Sequence, residues 1–210
     1  MVDKICNYLT QKIRKEMPDI TDERAEIINY GLQLVIGEIP KGMVILIISY
    51  LLGVFQFTLL ALLFTLPYRM VSGGVHLKTH IGCFLATSFS YIGNAWISTK
   101  IVLLDAVKLA LIVCIWIFSM FMIKLYAPAD TEAVPILRKK ERKIKKYLSY
   151  LFITLNLVLA IVIKNNVYSN LLIFGSLIQT ITITRFIYKL TNNKYGYEEY
   201  MKNNEFNTAS

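Results

Sequence analysis

The sequence predicts an all-α polytopic membrane protein with about six transmembrane segments and an N-terminal amphipathic helix lying along the membrane interface. Three observations carry that reading. Of 210 residues, 55% are hydrophobic and 18% charged, and the mean hydropathy is +0.50, whereas a soluble domain carries about 25% charged residues. The apolar residues fall in blocks without a formal charge, at 43–66, 79–99, 109–123, 147–163 and 165–184, and a bilayer core needs about 20 such residues as helix. The surplus of positive charge, 23 Lys+Arg against 14 Asp+Glu, is concentrated, with seven bases between positions 138 and 146. On a soluble domain a net charge of +9 would point to nucleic acid. On an apolar chain it marks cytoplasmic segments, so no nucleic-acid partner is expected. Three cysteines cannot close a disulfide framework.

The elements follow in order along one integral membrane domain, 1–210. In residues 1–20, Ile5, Tyr8, Leu9, Ile13 and Met17 recur at helical spacing opposite Lys4, Gln11, Arg14 and Lys15. That stripe is expected to lie on the membrane surface or against another helix and to end at Pro18. It lacks the continuous apolar core of a signal peptide. Thr21 and Asp22 suit the N-cap of a second helix.

The basic run places its own flank in the cytoplasm. Counting spans from there puts the 67–78 turn and the C-terminus on the same side. Block 43–66, read as one helix, would export the N-terminus, and nothing in the first 40 residues looks exported. A hairpin turning near Gly53, its first arm reaching back through 32–39, keeps both termini cytoplasmic. Glu38, Pro40 and Lys41 then lie near the inner surface, where charges snorkel and proline kinks the helix. The expected pieces are thus an amphipathic helix at 1–20, a functional turn at 67–83 and a basic cytoplasmic loop at 125–146, in a multi-pass cell-membrane protein.

The chain's two histidines, His76 and His80, stand within eight residues of Cys83. On a helix, His76 and Cys83 would share a face but lie roughly 10 Å apart along the axis. Contact between them requires His76 on a loop before the helix, an excursion that Gly73 and Gly74 permit. An imidazole beside a thiol can generate the thiolate and later protonate a leaving amine. His80, three residues from Cys83, is a rival base. His76 and His80 also have the spacing by which a helix offers two imidazoles to zinc, with Cys83 as a third ligand. Leu77, however, stands where a zinc protease carries its general-base Glu, so no metal or other cofactor is expected. A transporter or permease subunit is the rival class. The blocks lack the intramembrane charges that usually mark a solute path.

At this turn, through Arg69…Gly73-Gly74-x-His76…Cys83, the sequence resembles the AgrB family, membrane cysteine endopeptidases of Gram-positive quorum sensing. The likeness continues through Tyr126-Ala-Pro128-Ala-Asp130-Thr-Glu132…Pro135 ahead of the basic run. The resemblance implies that His76 is the base and Cys83 the nucleophile. It also implies an AgrD-type propeptide as substrate, whose C-terminal tail is cut off through a thioester acyl-enzyme before an internal Cys or Ser closes a thiolactone or lactone. Self-association is a further implication. Arg69 or the backbone N–H groups at Gly73 and Gly74 are candidates to hold the oxyanion. Arg138, Lys139 and Lys140 are candidates to hold an acidic propeptide tail.

Overall fold

The computed structural model describes residues 2–17, 19–77, 79–132 and 135–208. Among them there is no strand, and Gly73 and Ala129 form an isolated parallel bridge. The chain forms two compact units, Met1–Phe55 and Gln56–Ser210.

The first unit holds α1 (Val2–Glu16), α2 (Asp22–Gln33) and α3 (Ile39–Leu51). Pro18, expected to end α1, lies outside the described residues. Thr21 caps α2 as expected, its Oγ1 accepting from Arg24 N at 3.4 Å. α1 meets α2 through polar groups: Asn29 Nδ2 donates to Asn7 Oδ1 at 2.9 Å, and Arg14 pairs with Asp22. Ile5, Tyr8 and Met17 of the apolar stripe stay exposed, as a helix laid on a lipid surface requires. Between α2 and α3 runs a π-helical turn, Leu34–Glu38. It sits just ahead of Pro40, which has no N–H for the carbonyl four residues back and whose ring crowds that carbonyl. A widened turn relieves the conflict without ending the helix.

Block 43–66 is not one helix. α3 stops at Leu51, Gly53 takes φ +71°, and α4 (Phe55–Ser72) begins two residues later. The break falls where a hairpin was expected.

The second unit adds α5 (His80–Lys100), α6 (Asp105–Tyr126), α7 (Lys139–Val162), α8 (Asn166–Thr182), α9 (Arg185–Leu190) and α10 (Gly196–Thr208). α8 is the central helix, with α5, α6 and α7 packed on it. Its buried face mixes Leu171, Leu172 and Ile173 with Ser169, Asn170, Ser176, Gln179 and Thr180. Buried polar groups of α8 and its neighbours bond between helices. Tyr68 OH and Ser119 Oγ both meet Thr180 Oγ1, at 3.0 and 2.8 Å. Asn94 Nδ2 donates to Leu171 O at 3.1 Å, and Asn156 Nδ2 to Phe64 O at 3.1 Å. Meanwhile Leu109, Val113, Ile117 and Phe121 of α6, with Leu151, Leu155 and Val158 of α7, face outward and exposed. A polar interior seam under an apolar exterior is the pattern of a helical membrane protein.

Four helical stretches among the described residues are long and apolar enough to cross a membrane: Arg24–Leu51, α4, α6 and α7. The expectation of six spans depends on counting α5 and α8 as well. α8 has only 17 residues, and α5 carries buried Asn94 and Ser98.

Two boundaries differ from the sequence reading. The turn does not open at residue 67, because α4 runs through Pro67 to Ser72. The buried bond of Tyr68 and those of Arg69 and Ser72 to Gln179 hold the last turn helical against the proline. The basic run is not loop either, because α7 starts at Lys139. Lys, Arg and Glu are good helix formers, and Glu141 pairs with Lys145 one turn on, at 2.9 Å.

Gly175 of α8 sits where α4 and α5 converge: a Cβ there would lie 2.7 Å from Thr65 Oγ1 and 3.1 Å from Asn94 Nδ2. Gly175→Val should therefore wedge three helices apart and cost about 1–3 kcal/mol, read as a lowered thermal midpoint in detergent.

Candidate functional site

α4 ends at Ser72, and the chain turns at once through two glycines of positive φ, Gly73 at +73° and Gly74 at +141°. The first is sterically compelled: a Cβ on Gly73 would sit 2.2 Å from Ala129 O. That approach lets two loops pair like adjacent strands, with Ala129 N donating to Ser72 O at 2.8 Å and Gly74 N to Ala129 O at 2.9 Å. The next residues are held in turn. Val75 N donates to Thr182 O at 3.2 Å, and His76 O accepts from Asn193 Nδ2 at 2.8 Å. Thr79 then caps α5, its Oγ1 accepting from Gly82 N at 3.1 Å. Cys83 follows in the first turn, its N–H on Thr79 O at 2.9 Å.

Cys83 is half-buried and lines a cavity of about 190 Å³ with Arg69, Val75, Leu77, Tyr91 and Gln179. Arg69 spans the space between helix and loop: Nη1 donates to Gln179 Oε1 and Nη2 to Val75 O, both at 3.3 Å. Gln179 is the buried clamp behind it. Its Nε2 donates to Gly73 O at 2.8 Å and to Ser72 Oγ at 3.0 Å. One carboxamide thus fixes both the guanidinium and the glycine turn.

The structure brings Cys83 and Arg69 to one cavity and places the other expected residues elsewhere. His76 lies on the loop before α5, as a contact with Cys83 would require. Its side chain is exposed, however, and Val75 and Leu77 on either side line the cavity while His76 does not. His80 opens α5, and its side chain lies outside what is described. Since His76 precedes the helix, the paired presentation of two imidazoles on one helix does not form. The glycine amides are already committed, Gly73 N to Arg69 O at 3.0 Å and Gly74 N to Ala129 O. Arg138, Lys139 and Lys140 are exposed at the start of α7, away from the cavity lining.

Another base of that run has a definite place. Arg142 Nη1 donates to Asp130 Oδ2 at 2.9 Å, to a carboxylate whose side chain is fully buried. Ile136 N and Tyr197 N bond the same oxygen, at 2.9 and 3.1 Å, and the guanidinium lies 4.3 Å from the Tyr197 ring centre. Beside it, Tyr188 OH donates to Ala129 O and Asp130 O at 2.9 and 3.1 Å, and its ring stacks on Tyr195 with centroids 4.1 Å apart. Burial pushes both phenols above their ordinary value, so they persist as neutral donors. Gln179, Tyr188 and Asn193 were not singled out from the sequence, and Asp130 entered only as part of the resemblance. The available signal was an amide inside the last apolar block at Gln179, since polar groups within a span face the protein interior.

The chain matches the family model described as Accessory gene regulator B over residues 6–183. It is 28% identical over 182 residues to "Accessory gene regulator protein B" of Staphylococcus aureus (strain JH9), covering 87% of this chain and 91% of that one. It is also 28% identical over 174 residues to a "Putative AgrB-like protein" of Listeria welshimeri, covering 82% of this chain and 83% of that one. No solved structure matches it.

Two outcomes test the loop geometry. Arg142→Ala leaves the Asp130 carboxylate buried and uncompensated and should cost about 3–5 kcal/mol, whereas Lys139→Ala and Lys140→Ala should stay within about 0.5 kcal/mol, by thermal unfolding in detergent. Because the folded state raises the Tyr188 phenol, its contribution is complete below the unfolded value near 10 and is lost as pH rises beyond it. Tyr188→Phe should flatten the alkaline fall of the midpoint above about pH 10.

Proposed function

The chain belongs to the accessory gene regulator B family, and from that premise we propose that it is the cysteine endopeptidase that processes a quorum-sensing propeptide in the cell membrane. The carrying observation is Cys83 in the first turn of α5, facing Arg69 across a cavity walled by the segment that bears His76. In this reading His76 withdraws the proton of Cys83. The thiolate attacks the scissile carbonyl, forming a C–S bond. The C–N bond to the tail then breaks, and the leaving amine takes the proton from His76. An internal Cys or Ser of the peptide attacks the thioester next, closing the ring as the Cys83 thiol is released.

Arg69 is suited to the oxyanion. It lines the same cavity and is held from behind by Gln179, which presets its direction before charge develops. His76 would have to turn inward from its exposed position. Catalytic contacts that are loose without substrate tighten in the reacting complex, and its two neighbours already form the cavity wall. The cavity is mostly apolar, with Val75, Leu77, Ala86 and Ile178 on its surface, which limits water at the thioester. The propeptide's acidic tail, in the same reading, meets Arg138, Lys139 and Lys140 at the start of α7, on the cytoplasmic side with both termini.

Co-expression with a C-terminally tagged candidate propeptide tests this. Cys83→Ala and His76→Ala should abolish release of the tail, and His80→Ala should retain it. Arg69→Lys should slow cleavage by on the order of 10²–10³-fold, the scale of a lost oxyanion donor. Normal tail release by Cys83→Ala would end the proposal.

A further inference from the structure

The segment that follows α8 reaches back to the candidate site. Residues from 184 onward lie beyond the stretch matched to the family, yet Asn193 touches the main chain of His76. Its Nδ2 donates to His76 O at 2.8 Å and to Thr191 Oγ1 at 2.9 Å. Its own N–H closes on Tyr188 O at 2.8 Å, after Asn192 takes φ +53°. Tyr188 anchors the turn on Ala129 and Asp130, and Tyr195 OH anchors it on Ile183 O at 2.9 Å. Asn193 is therefore not a side chain that happens to lie near a loop. It stands on a turn braced on the same loop that pairs with Gly73.

We propose that Asn193 is a positioning residue for His76, and that the C-terminal turn Tyr188–Tyr195 is part of the working site. The proposal rests on the reading of His76 and Cys83 as the reacting pair. The physical argument concerns peptide planes. The His76 carbonyl stands outside a helix, where a main-chain acceptor needs a donor. The amide of Asn193 supplies it from a fixed direction. That bond sets the plane between His76 and Leu77, and with Val75 held by Thr182 it limits the directions the His76 side chain can take. Asn193 does not line the cavity, so it acts on reactivity rather than on substrate binding.

The test uses the full-length chain in detergent with Cys6→Ser and Cys114→Ser, leaving Cys83 as its sole thiol. The readouts are the rate of Cys83 alkylation by iodoacetamide against pH, steady-state cleavage of a tagged propeptide, and the thermal midpoint. Asn193→Ala, and the nearly isosteric Asn193→Asp, which cannot donate at neutral pH, should lower kcat by on the order of ten- to a hundredfold, as small misplacements of a catalytic group do. KM should hold. Both variants should shift the alkylation profile in the direction that His76→Ala shifts it, with a midpoint close to that of the parent. Asn193→Asp indistinguishable from the parent while His76→Ala is impaired overturns the inference alone. A fall in kcat for Asn193→Asp with an alkylation profile unmoved from the parent, while His76→Ala moves that profile, also overturns it. An alkylation profile unmoved by His76→Ala overturns the underlying reading instead.

Discussion

Everything around the candidate site depends on one close approach, the backbone of Gly73 against that of Ala129. A side chain at position 73 would overlap Ala129 O at 2.2 Å, so the two loops can pair only because glycine stands there. The pairing joins the segment that leads into α5 to the segment that leads into α7. It draws Gln179, Arg69 and Thr182 together at the end of α8, and it leaves Cys83 to enter the cavity from the capped start of α5. Remove the approach and the site residues still sit on sound helices, but the loop that bears His76 loses the two bonds that tie it to the Ala129 loop. The constraint is steric first and hydrogen-bonded second.

The bundle behind it faces the problem set by an apolar surround. Helices in lipid gain little from burying one apolar face against another, so association relies on packing and on interhelical hydrogen bonds. Thr180 shows the solution, meeting Tyr68 of α4 and Ser119 of α6 while donating to its own helix at Ser176 O, 2.8 Å away. Gly175 admits α4 and α5 at closest range. Such bonds contribute only about 0.6 kcal/mol on average in membrane interiors, so their number matters more than any one of them. That is why α8 concentrates so many polar residues on its buried face.

The sequence made legible what depends on local chemistry. The apolar blocks gave helices, Thr21 gave a cap, Gly53 gave the break in 43–66, and the two glycines gave a loop that puts His76 ahead of α5. It was misleading wherever tertiary bonds override local preference. Pro67 looked like a boundary, yet the bonds of Tyr68, Arg69 and Ser72 keep α4 helical beyond it. The basic run looked like a loop because its charge was read for topology alone. Its helical propensity, and the pairing of Arg142 with a buried Asp130 twelve residues earlier, are invisible to a charge count. Gln179 and Asn193 were passed over because an amide carries no charge, and partners more than a hundred residues away leave no trace in local spacing.

Arg142 changes what the positive charge means. Seven bases in nine positions can be explained as an orientation signal, in which any cation serves. Any cation at Arg138, Lys139 and Lys140, which are exposed, would serve that purpose or meet an acidic tail. Charge alone does not suffice for Arg142, whose planar fork must reach Asp130 Oδ2 while its face lies on the Tyr197 ring. A lysine supplies the charge but neither the fork nor the plane. The same nine residues therefore contain two different constraints, one satisfied by charge and the other by shape. Because Asp130 follows Ala129 in the chain, the shape-dependent one holds the loop that closes on Gly73. The basic run thus acts on the site through the packing of a single guanidinium, at a place where its net charge has no part.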